Sequence, residues 1–179
     1  MFKLREIQKQ KQSKPAPNAG SNTNTRLHRD LKSLELPPTT QLHIVRGTDD
    51  SIPLLQLAVK PDEGYYKGGN FTFELLFNEQ YPMEPPKVKC LNRIYHPNID
   101  TDGRVCLNIL RQDWTPALDL QSVIIGLLFL FLEISGVDPL NKQAAETFNR
   151  NRQNFAHAVR QSMGGNTIDN IHYDKVTNF

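Results

Sequence analysis

Apolar side chains change their period along the chain, and the changes divide it into elements. Leu27, Leu31 and Leu34 recur at i, i+4 and i+7, which predicts a helix over residues 23–35 with one buried stripe. Asn22 or Thr23 is its expected cap, and Pro37-Pro38 stops it. The period then drops to two. Strands are predicted over residues 41–45, 54–59, 71–77 and 87–91. The third sets Phe71, Phe73, Leu75 and Phe77 on one face, and the fourth alternates Lys87 and Lys89 with Val88 and Cys90. Short, turn-rich links between strands predict an antiparallel meander. Residues 119–132 are apolar nearly all round, which marks a central helix with Asp119 as cap. Ser135-Gly136-Val137-Asp138-Pro139 breaks it. Two amphipathic helices follow. One covers residues 142–151 with Ala145 and Phe148 inward. The other covers residues 152–163 with Phe155, Ala158, Val159 and Met163 inward, and Gly164-Gly165 ends it. Residues 166–179 have no assigned pattern. Helix, meander and helices in that order make an α+β domain.

Residues 1–22 read differently. Lys, Gln, Pro, Ala, Asn, Gly and Ser dominate, and such a segment buries too little apolar surface to offset its ordering entropy. It is expected to be a flexible extension ahead of a core domain over residues 23–179. Met1, Leu4 and Ile7 would nevertheless share one helical face, with Phe2 beside them. That is the pattern of a peptide that folds into a partner's groove, and a ragged terminus is the plain alternative. Charge is unevenly placed too. Residues 1–14 hold five basic side chains and one acidic, net +4, whereas all 179 residues carry +2, which leaves −2 for the rest. The sequence pI near 8.5 therefore describes a basic tail on a mildly acidic domain. It does not describe a nucleic-acid-binding face. The longest apolar run, residues 123–132, is far shorter than the roughly 20 residues that span a bilayer. A charged N-terminus without an apolar signal region, and two cysteines without a disulfide framework, point to a reducing compartment, cytoplasmic or nuclear.

Several chemistries drop out. His28, His43, His96, His157 and His172 are scattered without ligand spacing to either cysteine, so no metal centre is expected. No glycine-rich phosphate loop follows a strand, so nucleotide binding has no support. Cys90 falls on the apolar side of its strand, where a cysteine behaves as a small hydrophobe. Cys106 is placed differently. It follows the Asp102-Gly103 turn among polar residues, eight positions after Asn98 and eight before Trp114. That placement leaves a nucleophilic thiol and an inert loop cysteine both open. A Cys-His protease arrangement also stays open, because the sequence does not show which histidine lies near.

The ordered set His96-Pro97-Asn98, Cys106 and Trp114-x-Pro116 resembles the ubiquitin-conjugating enzyme family. Tyr81-Pro82-x-x-Pro85-Pro86 and Asp138-Pro139-Leu140 resemble it as well, and the resemblance spans residues 26–163. It implies that family's fold: an N-terminal helix, a four-stranded antiparallel meander and C-terminal helices. It also implies two acyl transfers, with Cys106 as the nucleophile that carries a glycyl thioester. Asn98 would donate to the oxyanion or support its loop. Asp138 would orient the incoming lysine and favour loss of its proton, since a free lysine titrates near about 10.4. His96 and Pro97 would shape the turn, with His96 as general base the lesser alternative.

Within the family the resemblance is greatest to the conjugating enzymes of neddylation. Leu107-Asn108-Ile109-Leu110-Arg111, Asp113-Trp114, Phe131-Leu132-Glu133 and the stretch from Asp138 to Glu146 carry it, as does the opening Met1-Phe2-Lys3-Leu4. The implied partners are a ubiquitin-like modifier, a heterodimeric activating enzyme, a RING ligase with a co-ligase, and a cullin substrate. Neither nucleic acid nor membrane is among them. ATP is used by the activating enzyme, so the chain itself needs no cofactor. Docking positions carry over as Met1, Phe2, Leu4 and Ile7 in the extension, Arg26 on the first helix, and Met83, Pro116 and Ala117 toward ligases. Met1, when acetylated, would enter a pocket of the co-ligase. A ubiquitin-conjugating enzyme with an unusual tail is one alternative. A non-catalytic modifier-binding variant is another, and Cys106 together with Asn98 argues against it. One departure stands out: Ile134-Ser135-Gly136-Val137 precedes Asp138 where the family has a Pro-Asn-Pro turn. Glycine in place of prolines predicts a more mobile gate.

Overall fold

The computed structural model describes residues 23–46 and 52–177. The predicted extension with Met1, Phe2, Leu4 and Ile7 lies outside the described residues. Helix α1 (Thr23–Lys32) leads into strands β1 (Thr40–Arg46), β2 (Leu54–Val59), β3 (Phe71–Leu76) and β4 (Lys87–Cys90). A 3-10 turn (Asn108–Leu110) precedes α2 (Leu120–Leu132), α3 (Lys142–Arg150) and α4 (Arg152–Met163). A small hairpin, β5 (Thr167–Ile168) with β6 (Ile171–His172), follows. Strands β1 to β4 pair antiparallel in chain order, so the expected meander is present.

The alternation in β2 and β3 sends Leu55, Leu57, Val59, Phe71, Phe73 and Leu75 to a fully buried face. Helix α2 closes over it. Phe131 stacks on Phe71 with ring centroids 4.4 Å apart and meets Phe73 edge-on at 6.0 Å. Burying one such ring contributes roughly 1.5–3 kcal/mol. Asp119 caps α2 as expected, accepting from the Ser122 N–H at 2.9 Å.

Helix α1 is shorter than its pattern predicts. The Ser33 hydroxyl turns back to the carbonyls of Arg29 and Asp30 at 3.0 and 3.3 Å. Glu35 leaves the helix and exchanges two backbone hydrogen bonds with the Gln121 side chain, at 2.8 and 2.7 Å. Thr23 does not cap the start. It lies inside the first turn, and its hydroxyl faces the carbonyls of Asn78, Glu79 and Tyr81 at 2.8–3.1 Å.

The segment after α4 folds back onto the domain. Tyr173 and Val176 are buried. Val176 donates its N–H to the Met163 carbonyl at 3.0 Å and accepts from Asn70 at 2.8 Å. Tyr173 meets Tyr95 edge-on at 5.9 Å, so this segment braces the stretch that leads to His96.

Candidate active site

Strand β4 templates the loop that ends at Cys106. Past Cys90 the chain turns and returns alongside: the Cys90 N–H donates to the Gly103 carbonyl at 2.8 Å, and Lys89 pairs with Arg104. Gly103 has φ +83°, and a Cβ there would lie 2.0 Å from the Cys90 oxygen. Only glycine fits such a position. Asp100 closes the turn. Its Oδ1 accepts from the N–H groups of Asp102 and Arg104 at 3.0 and 2.8 Å. Its Oδ2 meets Arg104 Nε at 3.0 Å, while Asp102 Oδ2 takes Arg104 Nη2 at 2.8 Å. That hydrogen bond and the guanidinium charge hold the Asp102 carboxyl below its ordinary range. These exposed pairs shape the turn and add little stability.

Cys106 is half-buried, and its N–H donates to the Asn98 carbonyl at 2.8 Å. Residues eight apart in sequence are thereby side by side. Asn98 is held in turn by His96, whose Nδ1 accepts the Asn98 N–H at 2.9 Å. Since Nδ1 accepts, the ring proton sits on Nε2, which donates to the Leu130 carbonyl of α2 at 2.8 Å. His96 is fully buried and stacks on Tyr66 at 5.1 Å. Burial pushes its pKa down to about 4, against the pull of the Leu130 carbonyl. The alternative of His96 as general base is therefore corrected: both nitrogens are used and neither reaches solvent. The Asn98 carboxamide, in contrast, makes no hydrogen bond to another described residue.

Pro97 ties in the far side of the site. Its carbonyl accepts from Leu140 and Asn141 at 2.9 and 3.0 Å, directly after Asp138-Pro139. Asp138 is exposed and has φ +47°, a left-handed conformation that costs a non-glycine residue about 1–3 kcal/mol. Upstream, Ser135 Oγ accepts from the Val137 N–H at 3.2 Å. A Cβ on Gly136 would lie 2.7 Å from the Asn149 carboxamide, the end of an exposed side chain that can turn aside.

Comparison with known proteins assigns the family. The family model described as ubiquitin-conjugating enzyme matches residues 26–163. The chain belongs to the ubiquitin-conjugating enzyme family. It is 52% identical to the NEDD8-conjugating enzyme UBC12 of Saccharomyces cerevisiae, with 98% of each chain covered. It is 40% identical to the Nedd8-conjugating enzyme UbcE2M of Drosophila melanogaster, over 97% of this chain and 96% of that one. The solved structure of S. cerevisiae Ubc12 matches with a TM-score of 0.85, covering 98% of this chain and 99% of that one.

The ubiquitin-conjugating fold places the remaining candidates unequally. Met83 is 64% exposed at the tip of the proline-rich loop, and Pro116 and Ala117 are half-buried nearby in sequence to Trp114. The two loops are joined where Trp114 Nε1 donates to the Pro82 carbonyl at 2.8 Å. Arg26 is turned inward and is not a surface cation. It is 5% exposed. Its Nε binds Asp30 at 2.9 Å, and its Nη1 and Nη2 donate to the carbonyls of Pro116 and Leu118 at 3.0 and 2.8 Å. Asp30 also accepts from the Tyr81 hydroxyl and from the Leu120 N–H. Arg26 thus braces the loop that carries Pro116 and Ala117. Removing one partner of a buried pair leaves the other uncompensated, at a cost of about 3–5 kcal/mol. No cluster of His, Cys, Asp and Glu able to hold a metal ion occurs among the described residues.

Sequence reasoning missed the Leu130 carbonyl and Asp30. Asp30 left a trace, since it stands at i+4 from Arg26.

Proposed function

We propose that the chain is a conjugating enzyme of the neddylation type, acting on cullin lysines in the cytoplasm and nucleus. One observation supports the chemistry most directly: the half-exposed Cys106 is bonded through its backbone to Asn98, whose carboxamide makes no hydrogen bond to another described residue. The choice of modifier is supported by identity, over nearly the whole length, to enzymes named NEDD8-conjugating.

In the first step Cys106 Sγ attacks the modifier's C-terminal glycyl thioester on the activating enzyme. A new carbon–sulfur bond forms and the activating enzyme's thiolate leaves. In the second step a neutral substrate lysine attacks the same carbonyl carbon. The carboxamide of Asn98 donates to the oxyanion, worth about 10²- to 10³-fold in rate for a single donor. Asp138 orients the amine and favours loss of its proton to solvent, and Cys106 departs as thiolate. His96 contributes by holding Asn98. Met1, Phe2, Leu4 and Ile7 engage the activating enzyme, and Met1 the co-ligase. Met83, Pro116 and Ala117 form the RING ligase contact. The chain needs no cofactor, because ATP is used by the activating enzyme.

The test is charging with each modifier and its own activating enzyme, followed by transfer to a cullin. A thiol-sensitive adduct is expected with the neddylation pair and not with the ubiquitin pair, and deleting residues 1–22 is expected to slow charging at least tenfold. Charging by the ubiquitin pair alone would contradict the neddylation reading. Unchanged charging after the deletion would remove the docking role of the extension.

A further inference from the structure

We infer that Gly126 is a positioning residue for the reacting thiol: the side chain missing from α2 is the notch that seats Cys106 against Asn98. This rests on the reading of Cys106 as acyl carrier. Helix α2 is otherwise filled with buried Leu120, Val123, Ile124, Leu127, Leu130 and Phe131. Glycine is a poor residue for the interior of such a helix, so space is the reason for it. A Cβ on residue 126 would lie 2.7 Å from Ile109 Cδ1 and 3.0 Å from Leu107 Cδ2. Leu107 directly follows Cys106, and Ile109 sits in the 3-10 turn that ends the same loop. Both are buried.

The same helix holds the opposite wall of the site. Leu130 lies one turn beyond Gly126, so the two share a face. Its carbonyl takes the His96 Nε2–H, and His96 holds the Asn98 N–H. One face of α2 therefore sets both walls. Asn98 is fixed through a hydrogen bond to a helix carbonyl, and Cys106 through packing into the notch. A methyl group at position 126 displaces the second wall and leaves the first in place. Lysine attack is the step that needs thioester carbonyl and oxyanion donor in register, and about 1 Å of misplacement in such geometry costs on the order of 10²-fold. Thioester exchange, which in this reading does not use Asn98, depends less on that register.

The experiment compares native protein, Gly126→Ala, Ile109→Val and the double variant. Ile109→Val removes Cδ1, the atom nearest the added methyl. Each is charged with its modifier, and discharge onto free lysine is followed in a single turnover well below its melting midpoint. Gly126→Ala is expected to discharge at least tenfold more slowly with charging reduced threefold or less. The double variant is expected to discharge within threefold of Ile109→Val. Discharge of Gly126→Ala within twofold of native overturns the inference, as does a folded double variant that stays tenfold slower than Ile109→Val. Should Gly126→Ala alone not fold, the double variant against Ile109→Val carries the test. Cys106→Ser separates the two readings: a modifier adduct on that variant as thiol-sensitive as the native one defeats the acyl-carrier assignment, whatever Gly126 does.

Discussion

Cys90 and Cys106 stand sixteen residues apart and meet opposite conditions. Cys90 ends β4 with its side chain inward, 2% exposed, and its thiol donates to the Asn92 carbonyl at 3.3 Å. Burial pushes that thiol up to about 12. Cys106 is half-buried at the end of a loop, tied by its backbone N–H and not by its sulfur. The two segments are still one piece of structure, because the Cys90 N–H binds the Gly103 carbonyl of the loop. The strand that buries the first cysteine is the template that presents the second. Access and solvation, more than residue type, separate an inert thiol from a usable one.

The contrast is sharpest in alkylation. At pH 7 a thiol titrating near 12 is about 10⁻⁵ thiolate, and burial denies it the reagent as well. Iodoacetamide mapped by peptide mass is expected to modify Cys106 at least about 10³ times faster than Cys90. Similar rates would erase the distinction.

A smaller effect tests the neighbour that only Cys106 has. Asn98→Ala is expected to slow discharge onto lysine by about 10²- to 10³-fold while charging falls less than tenfold. If both steps fall equally, Asn98 supports the loop and does not serve the oxyanion.

The third effect concerns His96, which holds Asn98. Its folded pKa is lowered to about 4 by burial, against about 6.5 for an ordinary histidine. Between those values the unfolded chain binds a proton that the native protein refuses, so stability falls as pH drops from 6.5 to 4 and is unaffected by this group above that window. The shift corresponds to roughly 3 kcal/mol. Urea unfolding at pH 7 and pH 4.5 should show an extra loss in the native protein that His96→Gln lacks. Equal losses in both would place the acid sensitivity elsewhere.

The sheet and the central helix were legible because burial repeats with their periods: Phe71, Phe73 and Leu75 are all fully buried, and the apolar run from Val123 forms α2. The candidate site was legible through the family resemblance that His96, Asn98 and Cys106 carry, since the placement of Cys106 alone left a nucleophile and an inert cysteine both open. Arg26 was not. On a helix near the start of the core it looks like a docking cation, and nothing local says that its guanidinium meets carbonyls about ninety residues away. The fold-back of the C-terminal segment was equally hidden, since it rests on Tyr173 and Val176, single apolar residues among polar ones. Long-range polar contacts and close approaches leave no period in a sequence, and these are the features it withheld.

The most direct measurement is charging of three proteins side by side: native, Cys90→Ala and Cys106→Ala. Each is mixed with ATP, the modifier and its activating enzyme, and the products are run with and without reducing agent. Native and Cys90→Ala should form a reducible adduct at rates within about twofold of each other, and Cys106→Ala should form none. An adduct that persists in Cys106→Ala, or that disappears in a folded Cys90→Ala, would contradict the assignment of the acyl carrier.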